Sequence, residues 1–303
     1  MVRKQLVILA AMCVMVSQGF AAGAGTSGAQ FLKILAAPGP AAMAGVYTAF
    51  SGDVNSMAVN PAGMASMSKK ELAVVQNSWI QDISNQYLAF GMPVEKVGVF
   101  GLGVTMVSIT DMIKRDNTGA DTGTFDASDM AIGLSYARVL STKLDLGLNL
   151  KSISCTIDDE KATAMAADIG FLYKVSKKVD MGLVAQNVGT EIKFIEEGDP
   201  LPMTIKLGWL YKPMEALKAG IDVSMPNDAD VYAGIGGEYT ITAGDKLMFP
   251  IRLGYRSGVD TEDLSGLSVG AGICYNKVAA IDFAWVPMGI LGDTIKFGVA
   301  FKF

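Results

Sequence analysis

Side chains that could perform covalent chemistry or hold a metal are sparse in this sequence. It contains no histidine, which is the commonest general base and transition-metal ligand in proteins. Glycines such as Gly101 and Gly103 recur at period two inside strand-like segments, whereas a dinucleotide-binding turn joins a strand to a helix. No nucleophile–base pair, phosphate-binding loop or metal cluster is recognisable. The sequence therefore predicts a protein without enzymatic activity, cofactor or metal.

Cysteine usage and net charge further restrict the class of protein. Cys155 and Cys274 lie far apart in the sequence, and we expect two unpaired thiols rather than a disulfide. The formal net charge of −5 argues against nucleic acid as the main partner, because phosphate binding needs a concentrated basic surface. Acidic clusters at 158–160 and 196–199 are interpreted first as solvated loop faces, with cation binding as the weaker alternative.

The N-terminus has the features of an exported protein. Arg3 and Lys4 precede an apolar run from Leu6 to Val16, and Gly19-Phe20-Ala21 or Ala22-Gly23-Ala24 then supplies small residues two positions apart. A short positive start, an apolar stretch and a small-residue cleavage site are typical of a secretory signal peptide. We predict a signal peptide over residues 1–21, with cleavage near 21–24.

From residue 71 to residue 303 the sequence alternates between apolar and polar or small residues. Near the C-terminus, Ile295, Phe297, Val299, Phe301 and Phe303 share one face of a strand, because successive side chains point to opposite sides. Such segments suit tilted strands that cross a bilayer, and an even number of antiparallel strands closes without edges. The pattern predicts an all-β fold, a transmembrane antiparallel barrel of about fourteen strands. The segments lie near 71–79, 85–92, 97–110, 128–139, 143–154, 164–175, 179–188, 202–212, 217–225, 229–240, 246–256, 265–276, 278–286 and 292–303.

The connections between these segments alternate in length. Outer-membrane barrels have short periplasmic turns and longer outer loops. The alternation therefore predicts the outer membrane of a diderm bacterium, with lipid around the barrel and both termini on the periplasmic side. The long connections span 111–127, 156–163, 189–201 and 257–264, and the short ones span 93–96, 140–142, 176–178, 213–216 and Lys277.

Charges within the strands indicate the face that points inward. A charged side chain costs about 2–4 kcal/mol on the lipid face at mid-bilayer. Glycines share the phase of the charges and leave room for a segment inside the barrel, for which residues 25–68 are the candidate. This region is rich in alanine, glycine and methionine and does not alternate. We expect eight charged residues to line the lumen: Asp145, Lys151, Asp168, Lys206, Asp222, Arg252, Asp282 and Lys296.

Motifs in the N-terminal region carry a resemblance to a known family. Residues 25–34 (GTSGAQFLKI), 43–49 (MAGVYTA) and 60–63 (NPAG) precede the first strand. Together with a terminal phenylalanine, they resemble the PorV/PorQ family of outer-membrane proteins, which is similar to the FadL-type long-chain fatty-acid channels. The resemblance implies a fourteen-stranded barrel whose N-terminal segment forms a small helical hatch in the lumen. Pro38 and Pro40 depart from the family pattern and stiffen the start of the hatch.

The same motifs suggest roles for particular residues. Asn60, Pro61, Ala62 and Gly63 are candidate hatch or gate residues, and they are equally compatible with a turn that ends a short helix. The resemblance implies that the barrel-insertion machinery recognises the C-terminal strand, for which Phe301 and Phe303 are the candidate signal.

Two functions of different classes are open from the sequence. One is a channel for hydrophobic small molecules, with a continuous apolar pocket between hatch and wall and a lateral opening at Gly101 and Gly103. The other is a non-conducting adaptor of a protein secretion system, with a filled lumen and docking loops at 110–127 and 189–201. A purely architectural role is a third alternative.

Overall fold

The computed structural model describes residue 23 and residues 25–80, 83–258 and 264–303. The predicted signal peptide, residues 1–21, lies outside the described residues. Within the described ranges, no helix is both long enough and apolar enough to cross a membrane. From Glu71 to Lys302 the chain consists mainly of strands.

Fourteen strands of the described chain form one closed antiparallel barrel. They are β1 (Glu71–Ser78), β2 (Ser84–Val94), β3 (Gly98–Arg115), β4 (Asp121–Val139), β5 (Leu144–Ile157), β6 (Glu160–Lys174), β7 (Val179–Gly189), β10 (Thr204–Met214), β11 (Leu217–Pro226), β12 (Tyr232–Ala243), β13 (Leu247–Arg256), β14 (Leu267–Tyr275), β15 (Ala279–Pro287) and β16 (Asp293–Lys302). Strands β8 (Ile192–Lys193) and β9 (Gly198–Asp199) form a separate hairpin between β7 and β10. Pairing of β1 with β16 closes the ring, which confirms the predicted all-β barrel of fourteen strands.

Side chains alternate between the two faces of the wall as the sequence predicted. On β16, Ile295, Phe297 and Phe301 are about half exposed, whereas Thr294 and Lys296 are buried. Apolar side chains are exposed all round the outer wall. Such a surface suits a hydrocarbon environment, because its exposure to water is unfavourable. The inward face carries the polar and small residues.

Two predicted long connections are wrong. Residues 111–127 mostly continue β3 and β4, and only 116–120 form the turn. Residues 156–163 reduce to a two-residue turn at Asp158 and Asp159, where Asp158 has a positive φ. These polar extensions lack apolar alternation because they have no lipid to face, so the sequence pattern did not mark them as strands. The connections at 190–203 and 257–266 remain long.

Residues 25–68, which we call the luminal segment, lie inside the barrel. They form 3₁₀ turns at Gln30–Lys33, Val54–Ala58 and Pro61–Ser66 and a short α-helix at Pro38–Ala42. The α-helix packs against β13 to β16, and the last 3₁₀ turn packs against β4 to β6. Further on, a 3₁₀ turn at Gly289–Leu291 joins β15 to β16. The luminal segment therefore reaches opposite sides of the wall.

Inward glycines make this close approach possible. A Cβ atom at Gly147 would collide with the backbone of Pro61 and Ala62, and one at Gly254 would collide with the backbone of Met43. Because the clashing atoms belong to backbone, they cannot rotate away as a side chain could. The glycines are thus the wall's contact surface for the luminal segment.

Both cysteines of the described chain carry free thiols, as the sequence predicted. We expect alkylation of the denatured, unreduced protein to modify Cys155 and Cys274 completely. In the folded protein Cys155, which is buried, should react far more slowly than it does after denaturation. Mass spectrometry of the modified peptides measures both results, and protection of the two thiols in the denatured, unreduced chain would contradict them.

Candidate functional site

The eight charged residues predicted for the lumen all lie on the inward face of the barrel. Four of them line cavities: Lys151, Asp168, Lys206 and Lys296. Asp145, Asp168, Asp222 and Lys296 are almost completely buried. They can remain charged there only where partners compensate the lost hydration.

Three of these charges, Asp145, Arg252 and Asp282, form ion pairs near the end of the barrel that carries Lys70 and Phe303, which we call the terminal end. Asp145 pairs with Lys174 at 2.8 Å, and Lys218 pairs with Glu238 at 2.8 Å. Arg252 bridges Glu238, at 2.8 Å, and Asp282. Alternating charges on neighbouring strands satisfy one another without water. The complete terminal belt consists of the pairs Asp145–Lys174, Asp180–Lys212, Lys218–Glu238, Glu238–Arg252, Arg252–Asp282 and Glu71–Lys302.

Polar groups of the wall hold the luminal segment in place. The buried Asp222 carboxylate accepts hydrogen bonds from the backbone N–H groups of Tyr47, at 3.1 Å, and Thr48, at 3.0 Å. The Glu71 carboxylate accepts a hydrogen bond from the backbone N–H of Val54 at 3.1 Å. Two wall carboxylates therefore dock different parts of the segment.

The Asn60-Pro61-Ala62-Gly63 motif lies at the contact between the luminal segment and the wall. Asn60 is fully buried, and its Nδ2 donates to the backbone oxygen atoms of Thr48, at 2.7 Å, and Phe171, at 3.2 Å. Its Oδ1 accepts a hydrogen bond from the backbone N–H of Ala62 and so begins the 3₁₀ turn in which Pro61 is the first residue. The motif follows the 3₁₀ turn that ends at Ala58 and starts the next one, so it lies at a turn between two short helical segments.

The candidate lateral opening at Gly101 and Gly103 is wrong in this structure. Pairing of β3 with β2 and β4 runs without interruption through both glycines. A Cβ atom at Gly101 would lie 2.6 Å from Met64 Cε and 2.9 Å from Met57 Cε, so the glycines make room for methionine side chains that fill the lumen. Close packing, rather than a bulge, explains them.

A register shift occurs instead between β6 and β7. Asp168 faces both Gln186 and Asn187, and Asn187 has a positive φ of 58°. The backbone N–H of Asn187 donates to Asp168 Oδ1 at 2.8 Å, and Lys151 pairs with the same carboxylate at 2.6 Å. This β-bulge turns Asn187 towards a cavity at the far end of the barrel.

Two cavities open at the end of the barrel opposite the terminal belt, which we call the loop end. The first cavity, of about 490 Å³, is lined by the bulge at Asn187 and by Lys206 and Tyr232. The second cavity, of about 480 Å³, is mostly apolar and lies beside Trp79 and Lys296. Lys33, Leu35 and Arg256 line both. A third cavity of about 70 Å³ lies deeper, between Phe31 and the wall.

Residues 25–35, which we call the outer strap, separate the loop-end cavities from the deeper lumen. The Asp228 carboxylate accepts hydrogen bonds from Ser27, from Gln30 at 2.8 Å and from Lys33 at 2.6 Å. Phe31 packs in a cluster with Ile192 and Leu201 from the connection that carries β8 and β9. One buried acidic residue therefore fixes the strap at the mouth.

The strap should loosen when Asp228 loses its charge. Burial alone would raise the pKa of this carboxyl, but the hydrogen bonds from Lys33, Ser27 and Gln30 outweigh burial and lower the pKa below its ordinary value. A lowered folded-state pKa contributes stability at neutral pH, and this contribution is lost as the pH falls below about 4. Asp228→Asn should produce the same loosening at pH 7. Hydrogen exchange at Gly28, whose N–H donates to Pro200, measures it, and unchanged protection in the variant would contradict the prediction.

Sequence reasoning missed several polar residues of the interior. Glu71, Asp180 and Glu238 share the inward phase of the predicted charges and could have been found by extending the alternation to strand ends. Asp228 could not, because it lies in a connection and its partners are about two hundred positions away.

The fold resembles that of barrels of known structure. The chain superposes on the toluene transporter TodX of Pseudomonas putida with a TM-score of 0.63 and 11% identity, covering 88% of this chain and 97% of that one. For the toluene transporter TbuX of Ralstonia pickettii the values are 0.58, 16%, 88% and 97%. For a FadL homologue of Pseudomonas aeruginosa they are 0.55, 12%, 88% and 98%. At such low identity the likeness defines a FadL-like barrel fold.

The family is defined by sequence. Residues 24–197, more than half of the chain, match the model of the uncharacterised protein family UPF0164, and the chain belongs to this family. No curated protein sequence matches the chain significantly.

Proposed function

We propose that this protein is an outer-membrane channel that admits hydrophobic small molecules. The observation that carries the proposal is the pair of cavities at the loop end, each large enough for a small organic molecule. The apolar outer wall suits lipid, and the FadL-like fold, shared with toluene transporters, supports a role in transport rather than catalysis. In this proposal the loop end faces outward, both termini are periplasmic and the luminal segment acts as the hatch.

The path through the barrel requires the luminal segment to move. Met57 and Met64 are buried against the wall glycines and fill the lumen beside them. A solute in the loop-end cavities would pass when the segment shifts away from Gly147 and its neighbours. In this proposal the wall stays rigid, and the motion is confined to the luminal segment, as it is in proteins whose moving elements have low local stability.

The filled lower lumen also favours the second candidate, an adaptor of a protein secretion system related to the PorV/PorQ proteins. In that case the loop end would dock a partner protein and no solute would cross. The connection at 190–203 and the protruding β3–β4 hairpin would be the contact surfaces.

Uptake of the apolar dye N-phenylnaphthylamine by whole cells distinguishes the two candidates. A diderm host with an intact outer leaflet is required, because apolar solutes cross simple phospholipid vesicles unaided. In cells that express the channel, dye fluorescence should increase faster than in cells with the empty vector. Uptake equal to the vector control, together with co-purification of a secretion component, would reject the channel in favour of the adaptor.

A further inference from the structure

Exposed positive charge is concentrated at the terminal end of the barrel, although the whole chain carries a formal net charge of −5. Among the described residues of this end, nine basic side chains are exposed, against three acidic ones. The basic residues are Lys69, Lys70, Lys96, Arg138, Lys143, Lys177, Lys178, Lys246 and Lys277, and the acidic residues are Glu95, Glu215 and Asp245. The described part of the loop end has the opposite balance, with thirteen exposed acidic side chains and six basic ones. Overall composition therefore does not explain the basic terminal end.

Four of these cations lie on two neighbouring hairpins, and we call them the basic patch: Arg138, Lys143, Lys177 and Lys178. Arg138 and Lys143 flank the turn between β4 and β5, and the other two lie in the turn between β6 and β7. The two turns are adjacent in the wall, because the backbone N–H of Lys174 donates to the backbone oxygen of Lys143 at 2.8 Å. The patch residues form no ion pair with the described residues, and neither turn contains an acidic residue. Their charge is therefore available to a ligand.

The basic patch adjoins the lipid-facing side of the wall. Arg138 is exposed and lies on the outward phase of β4, because Ala137 beside it is buried. Tyr136 and Tyr173 lie on the outward phase of β4 and β6, each a few residues from its turn. The terminal end carries further outward aromatic residues: Phe90, Phe100, Tyr211, Tyr239, Tyr275, Phe301 and Phe303. Aromatic rings favour the boundary between hydrocarbon and headgroups, so cations just beyond them lie at the level of lipid phosphates.

We propose that the basic patch binds the headgroup of an anionic phospholipid of the surrounding bilayer, such as phosphatidylglycerol. The Arg138 guanidinium can donate two hydrogen bonds to the phosphate, and the three lysines attract the net negative charge. The acyl chains would lie along the apolar outer wall beside Tyr136 and Tyr173. A soluble anion or an acidic protein would use the cations alone, whereas a lipid uses the cations and the adjoining wall together. In the orientation proposed above, this lipid belongs to the periplasmic leaflet; the binding itself does not depend on transport.

Native mass spectrometry with two matched lipids tests the site. The full chain in micelles of an uncharged detergent is titrated with phosphatidylglycerol and with phosphatidylethanolamine that carry identical acyl chains. Both lipids contain the phosphate, but only phosphatidylglycerol has a net negative charge. The first molecule of phosphatidylglycerol should bind at least about tenfold more tightly, because each nearby cation adds to the attraction of a net anionic headgroup. Equal affinities for the two lipids would overturn the proposal.

Two combined variants assign the preference to the basic patch. The patch variant carries Arg138→Gln, Lys143→Gln, Lys177→Gln and Lys178→Gln, and its affinity for phosphatidylglycerol should fall to that for phosphatidylethanolamine. The control variant carries Lys114→Gln, Arg115→Gln, Lys161→Gln and Lys193→Gln, which remove the same residue types from exposed positions at the loop end. It should bind both lipids like the wild type. A heat-modifiable band in gel electrophoresis verifies that each variant is folded, and a wild-type preference in the folded patch variant would overturn the proposal.

A soluble competitor separates a lipid site from a site for free phosphate. Glycerol 3-phosphate carries the phosphate of the headgroup without acyl chains, and a large molar excess should leave the bound phosphatidylglycerol in place. Displacement by this competitor would overturn the lipid assignment in favour of a soluble anion.

The lipid test and the transport test fail independently. Dye uptake with equal affinities for the two lipids would reject the lipid site and leave the channel intact. A lipid preference that depends on the basic patch, together with dye uptake at the vector rate, would support the site and reject the channel.

Discussion

Replacing Gly147 with valine is expected to open the barrel to ions. The new Cβ would collide with the backbone of Pro61 and Ala62, both of which are buried. Overpacking of this kind costs about 1–3 kcal/mol, so the population with a displaced luminal segment should rise about ten- to hundredfold. Single-channel recordings in planar bilayers should show frequent openings that are rare in the wild type.

Gly237→Val is the matched control for this substitution. Gly237 lies on the outward phase of β12, and a Cβ there would meet its nearest neighbour, the Lys218 backbone oxygen, at an ordinary 3.5 Å. The conductance of Gly237→Val should equal that of the wild type. If Gly147→Val also stayed closed while its band remained heat-modifiable, the luminal segment would not be what blocks the pore.

Removing the Asp222 carboxylate should release the middle of the luminal segment. Asp222→Ala leaves the N–H groups of Tyr47 and Thr48 buried without an acceptor, at a cost of about 1–3 kcal/mol for each. Hydrogen exchange at these two amides should accelerate by about tenfold or more in Asp222→Ala. Asp222→Asn keeps one acceptor oxygen and should show a smaller change.

The control for this prediction is Asp245→Ala, which removes an exposed carboxylate from the turn between β12 and β13. Its exchange rates at Tyr47 and Thr48 should not differ from those of the wild type. Wild-type exchange in Asp222→Ala would mean that packing against the glycines docks the segment without this carboxylate.

The barrel could be predicted from the sequence because its wall obeys a local rule. The side chains of each strand alternate between a lipid-facing and an inward side. The pattern around Ile295 and Lys296 can therefore be recognised without knowledge of the neighbouring strands. The inward position of the eight predicted charges follows from the same rule. Outside the hydrocarbon layer the rule ends, and the pattern therefore predicts loops where β3 and β4 extend.

The interior could be predicted only in part, because it depends on contacts between distant residues. Gly101 looked like a weak point of β3, yet it is the space into which Met57 and Met64 fit. The bulge at Asn187 and the attachment of the outer strap to Asp228 involve polar residues without a sequence pattern of their own. Whether Phe301 and Phe303 serve the insertion machinery stays a prediction; both side chains face outward, at 50% and 65% exposure.

The most direct test of the channel is dye uptake when the second loop-end cavity is filled. Ser265 lines this cavity, and Ser265→Trp would occupy much of its volume. Thr142→Trp, in an exposed turn at the terminal end, is the matched control. We predict that cells with the wild type or Thr142→Trp take up N-phenylnaphthylamine faster than vector cells, and that Ser265→Trp removes most of this difference. Uptake by wild-type cells at the vector rate, or by Ser265→Trp cells at the wild-type rate, would contradict a route through these cavities.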